Sequence, residues 1–448
     1  MKIHTLYKNR IKQNSKAFDD TARLYCRAVD FYINVCLNEW KDACKCSNTK
    51  DAVNFCESVS LRTKARPVTK YDFSGYLYKF PCYLRRAAIA SAFGKVSSYK
   101  SNLANWNANP VGEKPGIPHT GRDFPFMYRK NMFNMTGNYT AQVKVWINNT
   151  WDWMDIELRK SDIDYIRHHC KDRKECVPVL RKRHRSGYLD FAFEENVKLP
   201  DTSNIWTQRI LAVDLGMNHA ATASVMQSDG TVLGRESLSL SREYDCLWTA
   251  VNRLKGMQQR GNRKCPHQWA VIKGINKDIS VKTAQWIVDK AVLYGCDTIV
   301  FEHLNLGRKG SGSKKQRITL WKSRYVQAVV ANKAHRSLIR VSHINAWGTS
   351  RLAFDGSGYV ERRNRMTTDP MLKSYSMCKF SSGKYYNCDL NATYNIGSRY
   401  FVREILKSLT VSEGLALQAK VPAAAKRSQC TLSTLISLNA ELYNLSVA

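Results

Sequence analysis

Three acidic residues occupy positions where acidic side chains are uncommon and where they could act together. Asp214 ends an apolar run in ILAVDLGMNHAA, and Glu302 ends another in DTIVFEHLNL. Asp389 stands at the predicted start of a helix in CDLNATYNIG. Carboxylates gathered at one sheet edge repel one another unless divalent cations neutralise them, and Mg²⁺ prefers such oxygen ligands. The three residues together predict a two-metal site that hydrolyses phosphodiester bonds. Each alone has an ordinary alternative, such as a turn residue for Asp214 or a helix N-cap for Asp389.

The elements that must position these acids follow an α/β pattern. Short apolar runs between turn signals predict strands, and 3.6-residue periodicity predicts helices. The predicted strands are 209–214, 220–226, 231–233, 298–302 and 339–344. The predicted helices are 244–259, 281–294, 324–338 and one from Asp389 onward. We expect the first three strands to form an antiparallel meander, and the strands that end in acids to be neighbours.

The N-terminal part of the chain has a different texture, with helices set among short strands. Apolar residues at steps of three and four predict a long amphipathic helix over 18–40, and a second helix is predicted over 83–103. A connection rich in Pro and Gly follows at 107–122. The predicted strands here are 142–147, 155–158, 177–181 and 188–193. Turn residues at 200–204 then mark a boundary, so we expect an α+β multidomain chain divided into 1–200 and 201–448.

The net charge is the strongest signal in the composition. The 448 residues include 70 Lys and Arg against 37 Asp and Glu, a formal net charge of +33. On a folded chain this excess indicates a polyanionic partner, and nucleic acid is the expected one. No run approaches the ~18 apolar residues of a membrane span, and the first residues lack the apolar stretch of a signal peptide. We therefore expect a cytoplasmic protein with no membrane partner.

The three acidic segments resemble the three motifs of the RuvC domain in TnpB, a transposon-encoded RNA-guided nuclease, and in compact type V CRISPR effectors. DLNATYNI is close to the family's D-x-N-A-A-x-N-I, and NKDISVKTAQWIVDKAVLYGCDTIVFEHL is similar to its second-motif helix and strand. The resemblance covers residues 205–402 well and is faint before residue 200. It implies an RNase H-like (RuvC) α/β nuclease domain at 201–448. For 1–200 it implies a β-barrel-like wedge and a helical recognition lobe that bind nucleic acid.

The resemblance also implies roles for the acids and a set of partners in a prokaryotic cell. Asp214 would bridge two Mg²⁺ ions, with Glu302 and Asp389 each holding one of them. The partners implied are a guide RNA and double-stranded target DNA that is unwound to an R-loop. Whether the protein works as a monomer or as a homodimer stays open.

One departure from the family concerns its zinc ribbon, which would lie at about 349–388. VSHINAWGTSR resembles the segment before the ribbon, but Ala353 and Gly356 occupy the places of the first Cys pair. Cys378 keeps its place in the second pair, whereas Ser381 replaces the other cysteine. One remaining soft ligand cannot hold structural zinc, so we expect a zinc-ribbon-like insert without zinc. The chain's fourteen cysteines are otherwise scattered without a disulfide framework.

Two basic segments are candidate nucleic-acid contacts. Between residues 304 and 340 the chain has Lys and Arg but no Asp or Glu, directly after Glu302. The second segment, KYDFSGYLYKFPCYLRR, interleaves aromatic and basic residues, as stacking on unpaired bases requires. A solvated loop and plain core aromatics are the respective alternatives. The candidate residues are Arg308, Lys309, Lys314, Lys315 and Arg317 in the first segment, Tyr76, Tyr78, Lys79, Arg85 and Arg86 in the second, and Arg362, Arg363 and Arg365 in the insert.

These observations predict an RNA-guided DNA endonuclease that binds its target beside a short adjacent motif. Two alternatives remain open: a nuclease-silent RNA-guided repressor, and a guide-independent RNase H-fold transposase or resolvase. An actin-like ATPase is a further rival, because AVDLG resembles a phosphate-binding strand. That fold needs a second glycine-rich phosphate strand, which the sequence lacks.

Overall fold

The structure of the chain is a computed structural model that describes residues 1–110, 113–121, 123–183, 186–201, 204–216, 219–262, 264–304, 323–363, 369–372, 374 and 376–447. The chain divides into two compact units. The N-terminal unit is Lys2–Glu195, and the C-terminal unit is Asn196–Ala448 together with Met1. Both contain helices and strands, so the prediction of a mixed α+β chain is confirmed. None of the helices in the described ranges is long and apolar enough to cross a membrane.

The N-terminal unit combines helices with two small sheets. Its helices are α1 (Ala17–Asn38), α2 (Trp40–Ala43), α3 (Thr49–Ser60), α4 (Phe73–Tyr76), α5 (Cys82–Ala108) and α6 (Lys160–His169). Its strands are β1 (Lys2–Arg10), β2 (Phe133–Met135), β3 (Thr140–Ile147), β4 (Thr150–Glu157), β5 (Lys174–Glu175), β6 (Val179–Arg183) and β7 (Ser186–Asn196). One sheet has the order β1-β7-β5 with β6 also on β7, and the other has the order β2-β3-β4. The predicted β-barrel-like wedge stays a prediction.

The core of the N-terminal unit forms where α1 and α5 pack together. The predicted amphipathic face of α1 is buried at Tyr25, Val29, Tyr32 and Cys36. Small residues such as Ala88 and Ala92 on α5 are also fully buried, in the same core cluster. Small side chains let two helices approach closely, which explains the Ala-rich texture of this segment.

The C-terminal unit is built around a larger sheet. Its helices are α7 (Ser241–Gln259), α8 (Pro266–Leu293), α9 (Ser323–Arg336), α10 (Cys388–Ser408), α11 (Val411–Lys420) and α12 (Leu432–Val447). Its strands are β8 (Arg209–Asp214), β9 (Ala221–Gln227), β10 (Val232–Leu238), β11 (Thr298–His303), β12 (Arg340–Asn345), β13 (Glu361–Arg362), β14 (Met377–Lys379) and β15 (Tyr385–Asn387). In the described part of the chain the main sheet has the order β10-β9-β8-β11-β12. The first three strands in sequence are antiparallel, as expected, while β11 runs parallel to both β8 and β12.

Alternation along the central strands sends side chains to two different layers. Ile210, Ala212 and Val300 belong to the core that α10 covers, with Tyr394 and Phe401. On the other face, residues 211, 213, 299 and 301 pack in a second core with α8 and α9. Strands buried on both faces read as continuous apolar runs. This explains why ILAV and TIVF were recognisable in the sequence.

Gly397 lets α10 approach the sheet closely. A Cβ atom at this position would lie 2.4 Å from Sδ of Met226 and 3.3 Å from Cβ of Ala212. Both neighbours are fully buried strand residues, so neither can move far without disturbing the core. The absence of a side chain at Gly397 therefore sets the distance between α10 and the strands that carry the acids.

The segment between β12 and α10 forms a small lobe with its own core. Its short strands have the order β13-β14-β15, and β14 is antiparallel to both neighbours. Ala353, Cys378, Phe380 and Cys388 are buried together, with Phe354 packed against them. Apolar packing is therefore present where the family would place the first pair of zinc-binding cysteines, since Ala353 is one of the replaced positions.

The helix and strand predictions were accurate where the apolar pattern was strong. The strand 209–214 coincides with β8, and the helix predicted from Asp389 is α10. The helix predicted over 281–294 is too short, because α8 begins at Pro266 and its first half is polar on the outside. The helices α2, α3, α4, α6, α11 and α12 were not predicted, and neither was the strand β1.

We predict that Gly397→Ala lowers the free energy of unfolding by about 1–3 kcal/mol, because the added methyl group overpacks the interface with Met226. Thermal and chemical denaturation measure the change. Gly274→Ala is the matched control, since Gly274 lies within α8 and has no atom within 4 Å of its would-be Cβ. The control substitution is expected to leave stability unchanged or raise it by up to about 1 kcal/mol. Equal behaviour of the two variants would contradict the close-approach role of Gly397.

Candidate active site

Asp214 and Glu302 end up side by side because of the register between two parallel strands. Val213 of β8 pairs with Phe301 of β11, so Asp214 and Glu302 are the next positions along the two strands. Both follow the alternation of Ala212 and Val300, which places them on the face that α10 covers. Each is half-buried. The sheet therefore brings two carboxyl groups to one end of the α10-covered face.

Asp389 lies in the first turn of α10 and does not cap the helix. The N-cap is Asn387, whose side-chain oxygen accepts hydrogen bonds from the backbone N–H groups of Asp389 (2.9 Å) and Leu390 (3.0 Å). The ordinary alternative for Asp389, a helix N-cap, is therefore not what the structure shows. Its carboxylate is left for another role, at the helix end where the macrodipole favours negative charge.

The three carboxyl groups lie close enough to influence one another. The pKa of Asp214 is raised well above its usual value, first by burial and then by the charges of Glu302 and Asp389. Burial also raises the pKa of Glu302 and that of Asp389. The charges of both other acids therefore act on the carboxyl group of Asp214.

Positive charges border this acidic cluster. Arg362 on β13 lowers the pKa of Asp214 and of Asp389, opposing the effect of burial. His219 acts on Asp389 in the same direction, and Arg399 of α10 does so on Glu302. His219 and Arg399 were not singled out in the sequence. His219 could have been noticed because it follows the Asp214 strand within one short turn.

The turn after β8 explains why Gly216 follows Asp214 so closely. A Cβ atom at Gly216 would lie 2.7 Å from the backbone oxygen of His219. Only glycine permits this approach without a backbone shift. The lack of a side chain at Gly216 therefore lets the backbone of His219 lie close to the end of β8.

The donor set fits Mg²⁺ in pairs of carboxylates. Among the described residues, no group of three or more His, Cys, Asp or Glu side chains could hold one metal ion. Mg²⁺ is usually bound by one or two carboxylates and completes its shell with water and substrate phosphate oxygens. Carboxylate oxygens are the ligand type that Mg²⁺ takes, and the charges of Glu302 and Asp389 both act on Asp214.

Glu302 is held by a residue that the acid pattern did not reveal. The hydroxyl of Thr349, which is almost fully buried, donates a hydrogen bond to Oε1 of Glu302. This bond lowers the pKa of Glu302, because it stabilises the ionised carboxylate. Thr349 lies in the segment after β12, within the run VSHINAWGTSR, and the sequence analysis gave it no role.

The predicted nucleic-acid contacts of the nuclease half are only partly described. Arg308, Lys309, Lys314, Lys315 and Arg317 lie outside the described residues, and so does Arg365. Arg363 is exposed, and Arg362 is half-buried beside the acids. Arg362 is therefore the described member of this set that lies at the candidate active site.

The aromatic segment of the N-terminal unit presents one prominent exposed ring. Tyr78 is 74% exposed, and the ammonium group of Lys79 lies 5.3 Å from its ring centroid. Tyr76 is 45% exposed, with its ring stacked on Phe31 and the guanidinium of Arg27 4.9 Å from its centroid. The exposed ring of Tyr78 beside Lys79 is a surface on which a base could stack, whereas the ring of Tyr76 already contacts Phe31 and Arg27.

The two arginines of this segment are already paired with an acid. Arg85 and Arg86 both bind the carboxylate of Glu57, at 2.9 and 3.3 Å. Arg85 is also largely buried. Their charge is therefore offset locally, in contrast to that of Lys79.

Helices α7 and α8 and the segment between them carry a further basic surface that the sequence analysis did not predict. The pair of helices α7 and α8 has its own small core, and residues 246–277 contain no Asp or Glu. The exposed basic residues here are Arg253, Lys255, Arg260, Lys264, Lys273 and Lys277. The lack of acids over this stretch was the signal that could have revealed it.

Part of the N-terminal unit matches a known protein family. Residues 4–147 match the Aq_aa04 family. The uncharacterised protein aq_aa04 of Aquifex aeolicus (strain VF5) is 28% identical over 131 residues, which span 26% of this chain and 74% of that protein.

Three similar solved structures are Cas12 effectors. The Cas12f1–sgRNA–target DNA complex has 15% identity and a TM-score of 0.34, covering 88% of this chain and 98% of that one. C2c1 of Alicyclobacillus acidoterrestris with single-guide RNA has 11% identity and a TM-score of 0.42, covering 86% and 70%. CasPhi-2 (Cas12j) bound to crRNA has 10% identity and a TM-score of 0.40, covering 89% and 98%.

We predict that Asp214→Asn stabilises the metal-free protein at neutral pH. Because the folded state raises the pKa of this carboxyl above 3.8, ionising it opposes folding, and the penalty grows as pH rises above that value. The neutral amide removes the penalty. The expected gain in the free energy of unfolding is on the order of 1–2 kcal/mol at about pH 7.5 and smaller at about pH 5.

Denaturation of RNA-free protein in EDTA measures this effect. Asp245→Asn is the control, because Asp245 is exposed on α7 and should change stability little. A loss of stability in Asp214→Asn at neutral pH would contradict the electrostatic description of the site.

Proposed function

We propose that the protein is an RNA-guided DNA endonuclease whose three acids form a two-metal RuvC-type site. The observation that carries this proposal is the placement of Asp214, whose pKa responds to both Glu302 and Asp389 at the covered end of the sheet. A half-buried cluster in which Glu302 and Asp389 both repel Asp214 is unfavourable on its own, and bound divalent cations would relieve the repulsion. Phosphodiester hydrolysis is the chemistry for which such sites are suited.

The topology of the C-terminal unit supports an RNase H-like assignment. An antiparallel meander is followed by two parallel strands, each reached through helices, and a final helix covers one sheet face. The central strand β8 and its parallel neighbour β11 each carry an acid near the carboxyl end. Ligand sites in α/β sheets lie outside the carboxyl ends of the strands, which agrees with this location.

In the proposed mechanism the residues of the chain bind, hold and shield the reacting groups. Asp214 would contribute a carboxylate oxygen to both ions, and Glu302 and Asp389 would contribute to one each. When bound, the two ions supply an activated water and stabilise the leaving oxygen of the phosphodiester. Arg362 adds positive charge beside the acids, which counters their repulsion of an incoming phosphate.

The partners in this proposal are a guide RNA and target DNA. The net charge of +33 supports them, because an RNA–DNA duplex is recognised through its backbone and demands many cations. The exposed basic residues of α7 and α8 face solvent without acids in their segment, and Tyr78 with Lys79 offers a stacking surface. Guide–target pairing would read the sequence, and the N-terminal unit would read a short adjacent motif.

We predict that Asp214→Ala, Glu302→Ala and Asp389→Ala each reduce Mg²⁺-dependent DNA cleavage by at least about 100-fold, because each removes a ligand that acts on the reacting phosphate. The assay uses the full chain purified with its co-purifying RNA, and a plasmid carrying the sequence that this RNA specifies. Asp245→Ala, an exposed acid on α7, serves as the matched control and should cleave normally.

The same assay separates the alternatives. Target binding without cleavage by the unchanged protein would favour an RNA-guided repressor. Cleavage that survives removal of the RNA by RNase would favour a guide-independent transposase or resolvase. Full activity of Asp214→Ala would sink the nuclease proposal.

We also predict that Tyr78→Ala weakens binding of RNA or single-stranded DNA about 5- to 100-fold, since stacking contributes about 1–3 kcal/mol per base. Fluorescence anisotropy with labelled oligonucleotides measures the affinity. Tyr165→Ala is the control, because Tyr165 is also exposed but lies on α6 directly after Asp164 and three residues after Asp162. Equal affinities for the two variants would remove Tyr78 from the binding surface.

A further inference from the structure

Helix α10 carries a buried polar stripe on the side that meets the lobe after β12. Asn391, Asn395 and Arg399 follow one another at intervals of four residues, which places them in one row along the helix. All three are nearly or fully buried, the two asparagines completely and Arg399 to 96%, since only 4% of it is exposed. Buried polar side chains need hydrogen-bond partners, so this row must be matched by another segment.

The partner of the stripe is the backbone between β12 and the lobe. Asn395 donates to the carbonyl oxygens of Thr349 and Leu352, both at 2.8 Å. Asn391 donates to the same oxygen of Leu352 at 2.9 Å and accepts from the N–H of Phe354 at 2.9 Å. The stripe therefore fixes the backbone of 349–354 against α10.

Arg399 adds hydrogen bonds to two further backbone segments, one before Thr349 and one before α12. Its guanidinium donates to the carbonyl oxygens of Asn345 and Trp347, both at 2.8 Å, directly before Thr349. It also donates to those of Ser428 (2.7 Å) and Cys430 (3.1 Å) in the segment before α12. A planar guanidinium with several donors suits such a junction.

Thr349 is the residue through which this scaffold reaches the acids. Its backbone oxygen is held by Asn395. Its hydroxyl, which has a single hydrogen, lies within hydrogen-bond distance of Oε1 of Glu302 and of the carbonyl oxygen of Ala346 (3.1 Å). The contact at Oε1 restrains the Glu302 carboxylate from one side. The backbone oxygen of Glu302 is bound in turn by Gln327 of α9 at 2.9 Å.

We propose that Thr349 is a positioning residue for Glu302: the stripe on α10 fixes its backbone, and its hydroxyl orients the carboxylate for a divalent ion. This inference rests on the proposed function, because it takes Glu302 to be a metal ligand. Substitution of a residue that hydrogen-bonds to a metal ligand typically lowers metal affinity or activity by about 10- to 100-fold.

The isosteric pair Thr349→Val and Thr349→Ser tests the hydroxyl separately from the packing. Valine keeps the branched shape and removes the donor, while serine keeps the donor and removes a methyl group. Asn395→Asp tests the hydrogen bonds that hold the backbone of Thr349. It keeps the shape of the amide but replaces its N–H donor with an oxygen, which then faces the carbonyl oxygens of Thr349 and Leu352. Its effect on the site passes through the backbone of Thr349.

Two readouts are measured on the full chain. One is the Mg²⁺ concentration that gives half-maximal cleavage by the RNA-bound protein, and the other is Mn²⁺ binding to the RNA-free chain. Thr349→Val should raise the Mg²⁺ requirement and weaken Mn²⁺ binding about 10-fold or more, and excess Mg²⁺ should restore much of the cleavage rate. Thr349→Ser should stay near the unchanged protein, and Asn395→Asp should shift the Mg²⁺ requirement in the direction of Thr349→Val.

Distinct results overturn the inference and the function beneath it. If Thr349→Val loses thermal stability but keeps the Mg²⁺ requirement and Mn²⁺ affinity of the unchanged protein, Thr349 is structural only and the inference is wrong. If Thr349→Ser is as impaired as Thr349→Val, the hydroxyl is not the active group. If the unchanged protein neither cleaves with Mg²⁺ nor binds Mn²⁺ in a manner that Asp214→Ala abolishes, the proposed function fails and this inference fails with it.

Discussion

The crowding of three half-buried carboxyl groups at the end of one sheet is the constraint around which the C-terminal unit is organised. Burial and mutual repulsion both oppose ionisation of Asp214, so the cluster persists only because packing elsewhere determines its geometry. Parallel register aligns Asp214 with Glu302, and the missing side chain of Gly397 lets α10 approach closely enough to add Asp389. The apolar layers on both faces of the sheet thus stabilise an arrangement that the acids alone would resist.

The lobe between β12 and α10 is stabilised by its own packing. Its small apolar core includes Ala353 and Cys378. The asparagines of α10 then anchor the backbone at its base. Hydrophobic burial and amide hydrogen bonds thus hold the lobe against α10. Helix α10 is the common support of Asp389 and of the segment that contacts Glu302.

What the sequence could predict depended on whether a residue leaves a pattern. The strands that carry Asp214 and Glu302 were recognisable because strands buried on both faces are continuously apolar and short. The first half of α8 was missed because it packs mainly on α7, so one side only is apolar and its outer side is basic and polar. Thr349 and Arg399 left no pattern at all, because their partners are a distant carboxylate and backbone carbonyls that only the fold brings near. The N-cap of α10 shows the same limit: Asn387 and Asp389 are both good capping residues by type, and only the backbone geometry selects Asn387.

Local compensation, more than the total charge, decides which cations are available to a polyanion. Arg85 and Arg86 lie in a segment that composition alone would rank as basic, yet they share the carboxylate of Glu57. The stretch 246–277 was not predicted to bind nucleic acid, although it contains exposed cations and no acidic residue. Arg362 is a third case, since its charge acts on the acids of the site itself. A net charge of +33 therefore consists of cations with different tasks: some stabilise the fold, some temper the acidic cluster, and the remainder form the field that a nucleic acid would meet.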